Sequence, residues 1–231
     1  MPETAAIKNI TLPSAASEDL SVFVDEGVVV AVLDKVPAQQ QQDALNWLLF
    51  AQLAADRQKN RVQDADAWLA LFRDFADKIG FEVTEGTTST PTGTGSVSDL
   101  ITEQFKSTRK SGSNELSAAL GAVGAIGFSG GGLQAIARDQ GLGRAHVLAG
   151  VVSVDTSAGL TIIELVALQC RIKPSEHHQN ILRADITDEK TTVVNYRFTL
   201  KDTTATTVRS ALEDKLGMLA QEKIYHVPLG N

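Results

Sequence analysis

Residues 160–172 read L-T-I-I-E-L-V-A-L-Q-C-R-I, and the fold turns on how this run is laid out. Side chains alternate across a strand, so Leu160, Ile162, Val166, Leu168, Cys170 and Ile172 share one apolar face. Upstream, H-V-L-A-G-V-V-S-V-D at 146–155 is a second β-branched run, and Thr156-Ser157-Ala158-Gly159 between them is turn chemistry. Residues 180–187 and 191–200 follow, with Asp188-Glu189 between them, and Val194, Tyr196, Phe198 and Leu200 again fall on one face. These runs predict a four-stranded antiparallel meander. Beyond it, Val208, Leu212, Leu216 and Leu219 line one side of a helix over 207–222, and 223–227 reads as a last short strand.

The first half of the chain has a different period. Two valine-rich runs, 20–24 and 28–33, flank Asp25-Glu26-Gly27, which predicts a β-hairpin. Pro37 suits the first turn of a helix, where its missing N–H would have no partner anyway. In 38–57, Leu45, Leu48, Leu49 and Leu53, widened by Trp47, Phe50 and Ala54, make a deeply packed helix. A second helix over 64–79 carries Trp68, Phe72, Phe75 and Ile79, and Gly80 stands where a left-handed cap belongs. These aromatics read as core.

Residues 86–96, G-T-T-S-T-P-T-G-T-G-S, offer little apolar surface to bury and read as a flexible loop. A short helix over 97–105 and a polar stretch to Asn114 lead into the least ordinary segment. Residues 116–137 hold no formal charge and six glycines, Gly121, Gly124, Gly127, Gly130, Gly131 and Gly132.

The fold class expected is α+β. An antiparallel sheet, mostly from the C-terminal half, is covered on one face by helices from 37–137, with the hairpin extending or capping it. The chain, 1–231, reads as one domain with a loosely ordered lead-in over 1–19.

Composition sets the limits on chemistry. The chain has 231 residues, a net charge of −7 and one cysteine. An acidic chain lacks the clustered Lys and Arg of a nucleic-acid binder. One thiol excludes an intrachain disulfide framework and any multi-cysteine metal centre. No phosphate-binding glycine motif is present, so neither a nucleotide nor another cofactor is expected. His177 and His178 are adjacent, a poor spacing for sharing one ion, and no metal site is expected. No stretch near Met1 has the apolar core of a cleavable signal, so the default compartment is the cytoplasm, with signal-independent export left open.

Three functional classes remain. The preferred one is a non-enzymatic binding protein of effector type, acting on a protein or membrane partner through residues 116–137. Gly127 and Gly131 are spaced as a helix-contact pair, and 22 uncharged residues match the thickness of a bilayer core. Gly124, Gly127, Phe128 and Gly131 are its candidate contacts, and the Ala/Gly/Ile/Phe composition is similar to that of fusion-peptide segments. The second is a carrier of an apolar or acyl ligand, linked at Cys170. The third is a small serine hydrolase, because Gly127-Phe128-Ser129-Gly130-Gly131 matches G-x-S-x-G. Ser129 would then need a base from His177, His178 or His226 and an acid from Asp155, Asp185 or Asp188. The alanine- and glycine-rich run before Ser129 is a poor strand for a nucleophile elbow.

Overall fold

The computed structural model describes residues 20–91, 95–108, 112–125, 143–172, 180–187 and 191–227. Asp25 pairs with Val28, so β1 (Leu20–Asp25) and β2 (Val28–Leu33) are joined by the two residues Glu26-Gly27. Glu26 adopts φ 49°, the left-handed conformation that a two-residue hairpin turn requires. α1 (Ala38–Asp56) and α2 (Ala65–Lys78) follow, and Gly80 takes φ 93° just past the end of α2, as its position predicts. Next come β3 (Glu82–Ser89), α3 (Val97–Thr108) and α4 (Ser113–Ala125). β4 (Arg144–Asp155), β5 (Leu160–Arg171) and β6 (Thr192–Lys201) are the long antiparallel strands. α5 (Asp202–Leu216), α6 (Leu219–Lys223) and β7 (Ile224–Val227) complete the described chain, with Gly217 at φ 51° separating the two helices.

The α+β expectation holds. Among the described residues, seven strands form one sheet in the order β3-β6-β5-β4-β2-β1-β7. The hairpin extends this sheet rather than capping it, because β2 lies beside β4 with Val28 opposite Leu148 and Val32 opposite Val152. That pair is parallel, so the sheet is mixed, while every other ladder is antiparallel.

Three expectations need correction. Helices cover both faces, not one. The even-numbered side chains of β5, Val166, Leu168, Cys170 and Ile172 at its end, join a core with α3 and α4. The odd-numbered Ile163, Leu165 and Ala167 join a second core with α1 and α2. A strand apolar on both parities is buried on both faces, which period-2 reasoning on one face overlooks.

Residues 180–187 do not form a strand of the meander. Asn180 caps a 3₁₀ turn, Ile181–Arg183, its side chain accepting from the Leu182 N–H. Ile181, Leu182, Ala184 and Ile186 pack into the α3/α4 core instead.

The fourth strand of that part of the sheet is β3, which takes residues 86–89 out of the expected loop. Gly86 pairs with Tyr196, Thr87 with Asn195, Thr88 with Val194 and Ser89 with Val193. Threonine suits a half-exposed edge strand, whose stability comes from the ladder rather than from burial.

The aromatics are core, as expected. Trp47 stacks on Phe81 with centroids 4.1 Å apart and packs against Phe72 and Phe198, all four being fully buried or nearly so. These contacts bind α1 and α2 to the sheet through β6.

Candidate binding sites

Three features bear on function: a buried polar chain under the hairpin, a cleft beside it, and the outward face of α4.

The polar chain starts at the hairpin turn. Gln52 of α1 is fully buried, as are Leu45, Leu48 and Leu49 of the same helix. Its Nε2 donates to the Asp25 carbonyl oxygen at 3.0 Å and to Asp25 Oδ1 at 3.4 Å. Its Oε1 accepts from the Gly27 N–H and from Arg61 Nη2, both at 3.0 Å. Arg61 also donates to Asp56 Oδ2 at 3.3 Å, and its guanidinium lies 4.4 Å from the centre of the Trp68 ring. Asp56 Oδ1 in turn accepts from Trp68 Nε1 at 2.7 Å. A Cβ on Gly27 would collide with the Arg61 guanidinium, so glycine at 27 makes room for this arginine.

The chain ends at His146 on β4. Its Nδ1 lies 2.9 Å from the Arg61 carbonyl oxygen, which can only accept, so Nδ1 carries the proton and Nε2 a lone pair. Nε2 has no partner among the described residues. Burial, aided by the nearby Arg61 charge, lowers the imidazole pKa from 6.5 to about 3, so the ring is neutral. Asp25 is also fully buried, and burial together with Glu26 raises its pKa well above 3.8 despite the opposing Arg61 charge. Glu26 meets Lys223 Nζ at 3.0 Å. The pattern ties the hairpin turn, α1, the α1–α2 connection, α2 and β4 together by buried and part-buried hydrogen bonds. None of its members was a candidate from the sequence, although a glutamine within the apolar stripe of α1 was the available signal.

The cleft, of about 450 Å³, opens where β4 begins and β5 ends. Its walls are residues 62–67, at the start of α2, and Arg144, His146, Gln169 and Arg171. These four share a sheet face, since Arg144 is the cross-strand partner of Arg171 and His146 of Gln169. Gln169 Nε2 donates to Asp66 Oδ1 at 3.0 Å across the cleft.

The sequence candidates fall as follows. Cys170 borders the cleft, but its side chain belongs to the α3/α4 core and is 5% exposed. Burial pushes its thiol pKa up to about 12, leaving it protonated and a poor nucleophile. His146 is on the opposite sheet face, so the structure does not pair this thiol with an imidazole. Gly124 is buried on α4, where an added Cβ would lie 3.6 Å from Arg183 Nε and 3.9 Å from Leu182 Cβ. Gly127, Phe128, Ser129 and Gly131 lie outside the described residues, as do His177, His178 and Asp188. Of the remaining triad candidates, His226 sits on the edge strand β7 against Phe23, and Asp185 bridges to Ser96. Asp155 closes the β4–β5 turn, accepting from Ser157 Oγ at 2.6 Å, a bond that lowers its pKa.

On α4, Leu116, Ala119, Leu120, Val123 and Gly124 are buried against the sheet. The opposite row is Ser117, Gly121 and Ala125, all exposed and uncharged. A Cβ on Gly121 would meet nothing within 4 Å. Among the described residues no helix is long and apolar enough to cross a membrane, and no group of His, Cys, Asp and Glu is placed to hold a metal ion.

No protein-family model matches the chain, and no curated protein matches it in sequence. Among solved structures it is similar to a delta-endotoxin, at 11% identity and a TM-score of 0.44, over 86% of this chain and 88% of that one. It is also similar to the Evf virulence factor, at 7% identity and a TM-score of 0.40, over 82% of each chain. Likeness at this level carries no functional argument.

Proposed function

We propose that this protein is a binding protein of effector type that engages a membrane surface through the segment opening in α4 and running to residue 137. The observation that carries this reading is the glycine content of α4. A glycine inside a helix costs about 0.8–1 kcal/mol relative to alanine, and close packing is the usual compensation. At Gly121 no neighbour requires it, and at Gly124 the surroundings accept a Cβ at ordinary contact distance. The outward row Ser117, Gly121 and Ala125 also lacks the charges that normally face water on a surface helix. Residues that the folded packing does not explain are candidates for a role outside it.

Liposome co-flotation across about pH 4–8, with hydrogen exchange followed in α4, tests the proposal. Flotation with faster exchange in α4 supports it, and Gly127→Asp should reduce flotation by placing a charge in hydrocarbon. No flotation at any pH, with α4 exchanging as slowly as β4 and β5, would sink it.

A second reading, a carrier with an acyl chain on Cys170, is favoured only by the position of Cys170 at the border of the cleft. Because the thiol is protonated, such a chain would have to be transferred by another enzyme. Intact mass of the native protein before and after hydroxylamine decides it.

A further inference from the structure

We propose that the groove between α1, the α5–α6 junction and the edge strand β7 binds a neutral apolar molecule that carries one carbonyl group. The groove lies on the sheet face opposite α4, so it stands apart from the membrane reading. It does not involve Cys170, whose side chain belongs to the other core.

The first argument is the lining. Phe23, Leu45 and Leu216 are buried and form the floor, while Ala220 and Ile224 are half-buried in the walls. The volume, about 490 Å³, is that of a small-molecule site. Met218, which follows Gly217 of the wall, is 74% exposed, and a flexible thioether beside an apolar groove can close over an occupant. No lysine or arginine lines the groove and Glu213 does, so a carboxylate or phosphate finds no fixed countercharge there.

The second argument is Asn46 of α1, a polar side chain in this apolar lining and 4% exposed. Its Oδ1 accepts from Gln42 Nε2 at 2.9 Å, one helical turn away, which holds the amide in place. Its Nδ2 has no acceptor among the described residues. Nor is Nδ2 one of the fully enclosed unpartnered atoms, so a group seated in the groove can reach it. An amide nitrogen only donates, and a nearly buried donor calls for an acceptor. A carbonyl on an otherwise apolar ligand supplies one without bringing in a charge.

The test is a fluorescence titration of the full chain with Prodan, a neutral naphthyl ketone whose emission moves to shorter wavelength on leaving water or losing a hydrogen bond to its carbonyl. Saturable binding is expected, and Ala220→Phe, which fills the groove, should abolish it. Ala67→Phe, an exposed position in the cleft beside α2, should leave it unchanged. Asn46→Leu should weaken binding by about three- to tenfold, the scale of one neutral hydrogen bond, and move the emission of the bound dye to shorter wavelength. 2-Nonanone should displace the dye, and octanoate should do so far less well. Circular dichroism verifies that the variants fold. No saturable binding by the wild type, an equal loss in Ala67→Phe, unchanged emission of the dye bound to Asn46→Leu, or octanoate competing as well as 2-nonanone overturns the proposal.

Discussion

Acid should destabilise this fold through His146, by an amount the structure sets. The imidazole titrates near 6.5 when exposed and at about 3 in its buried position. A base whose folded pKa is depressed contributes no penalty above 6.5, and stability falls as pH drops below that value. Between 6.5 and 3 the loss is about 1.36 kcal/mol per pH unit, which gives about 2 kcal/mol at pH 5 and about 5 kcal/mol at the acid limit. Its origin is the cost of placing a cation beside Arg61 in a site that offers no carboxylate within hydrogen-bond reach of Nε2.

The assay is urea denaturation of wild type and His146→Asn at about pH 7 and pH 5. Asparagine keeps a donor in the position of Nδ1, so the bond to the Arg61 carbonyl survives while the titration is removed. Asp25, whose raised pKa makes it favour acid, acts in both proteins and cancels in the comparison. The wild type should lose about 2 kcal/mol more than the variant between the two pH values. Equal losses in the two proteins would refute the reasoning and show that the site admits water or an anion when His146 protonates.

Other outcomes follow from single contacts. Gly121→Ala should stabilise by about 0.5–1 kcal/mol, since helix propensity rises and nothing is displaced. Gly150→Ala should destabilise by about 1–3 kcal/mol or more, because a Cβ there runs into the Glu164 carbonyl oxygen and the Leu165 side chain. Chemical denaturation of the pair decides both. Asp25→Asn should stabilise at neutral pH, where keeping a buried carboxyl is unfavourable, and the gain should shrink as pH falls toward 4 in the same assay. Cys170 should react slowly with a water-soluble thiol reagent in the native state and rapidly in denaturant, and immediate native labelling would contradict its place in the α3/α4 core.

What was legible in the sequence followed from one-dimensional periodicity. The shared face of Leu168, Cys170 and Ile172, the Phe198 face of β6 and the turn at Glu26-Gly27 are each set by residues near one another in the chain. What was missed depends on partners far away in sequence. Threonines 87 and 88 give no burial signal, and only the ladder with Asn195 and Val194 makes them strand. The 180–187 run is apolar enough for a strand, yet the Asn180 side chain caps a turn there and donates to the Val123 carbonyl of α4. The polar chain joins residues 25, 52, 56, 61, 68 and 146, and no local pattern connects them.

The two faces of the sheet then bear on how an acid trigger would act. His146 meets Arg61 and Trp68 on the α1/α2 side, whereas its neighbours on β4, Ala145 and Val147, face the α3/α4 core. A proton on His146 is therefore felt first where the α1–α2 connection and α2 cross β4, and α4 has no direct contact with the new charge. If acid brings the protein to a membrane through this histidine, exchange should rise in residues 61–68 before it rises in α4, and His146→Asn should remove both changes. Flotation that persists in His146→Asn would place the trigger among other carboxylates of this acidic chain, while leaving the role proposed for α4 intact.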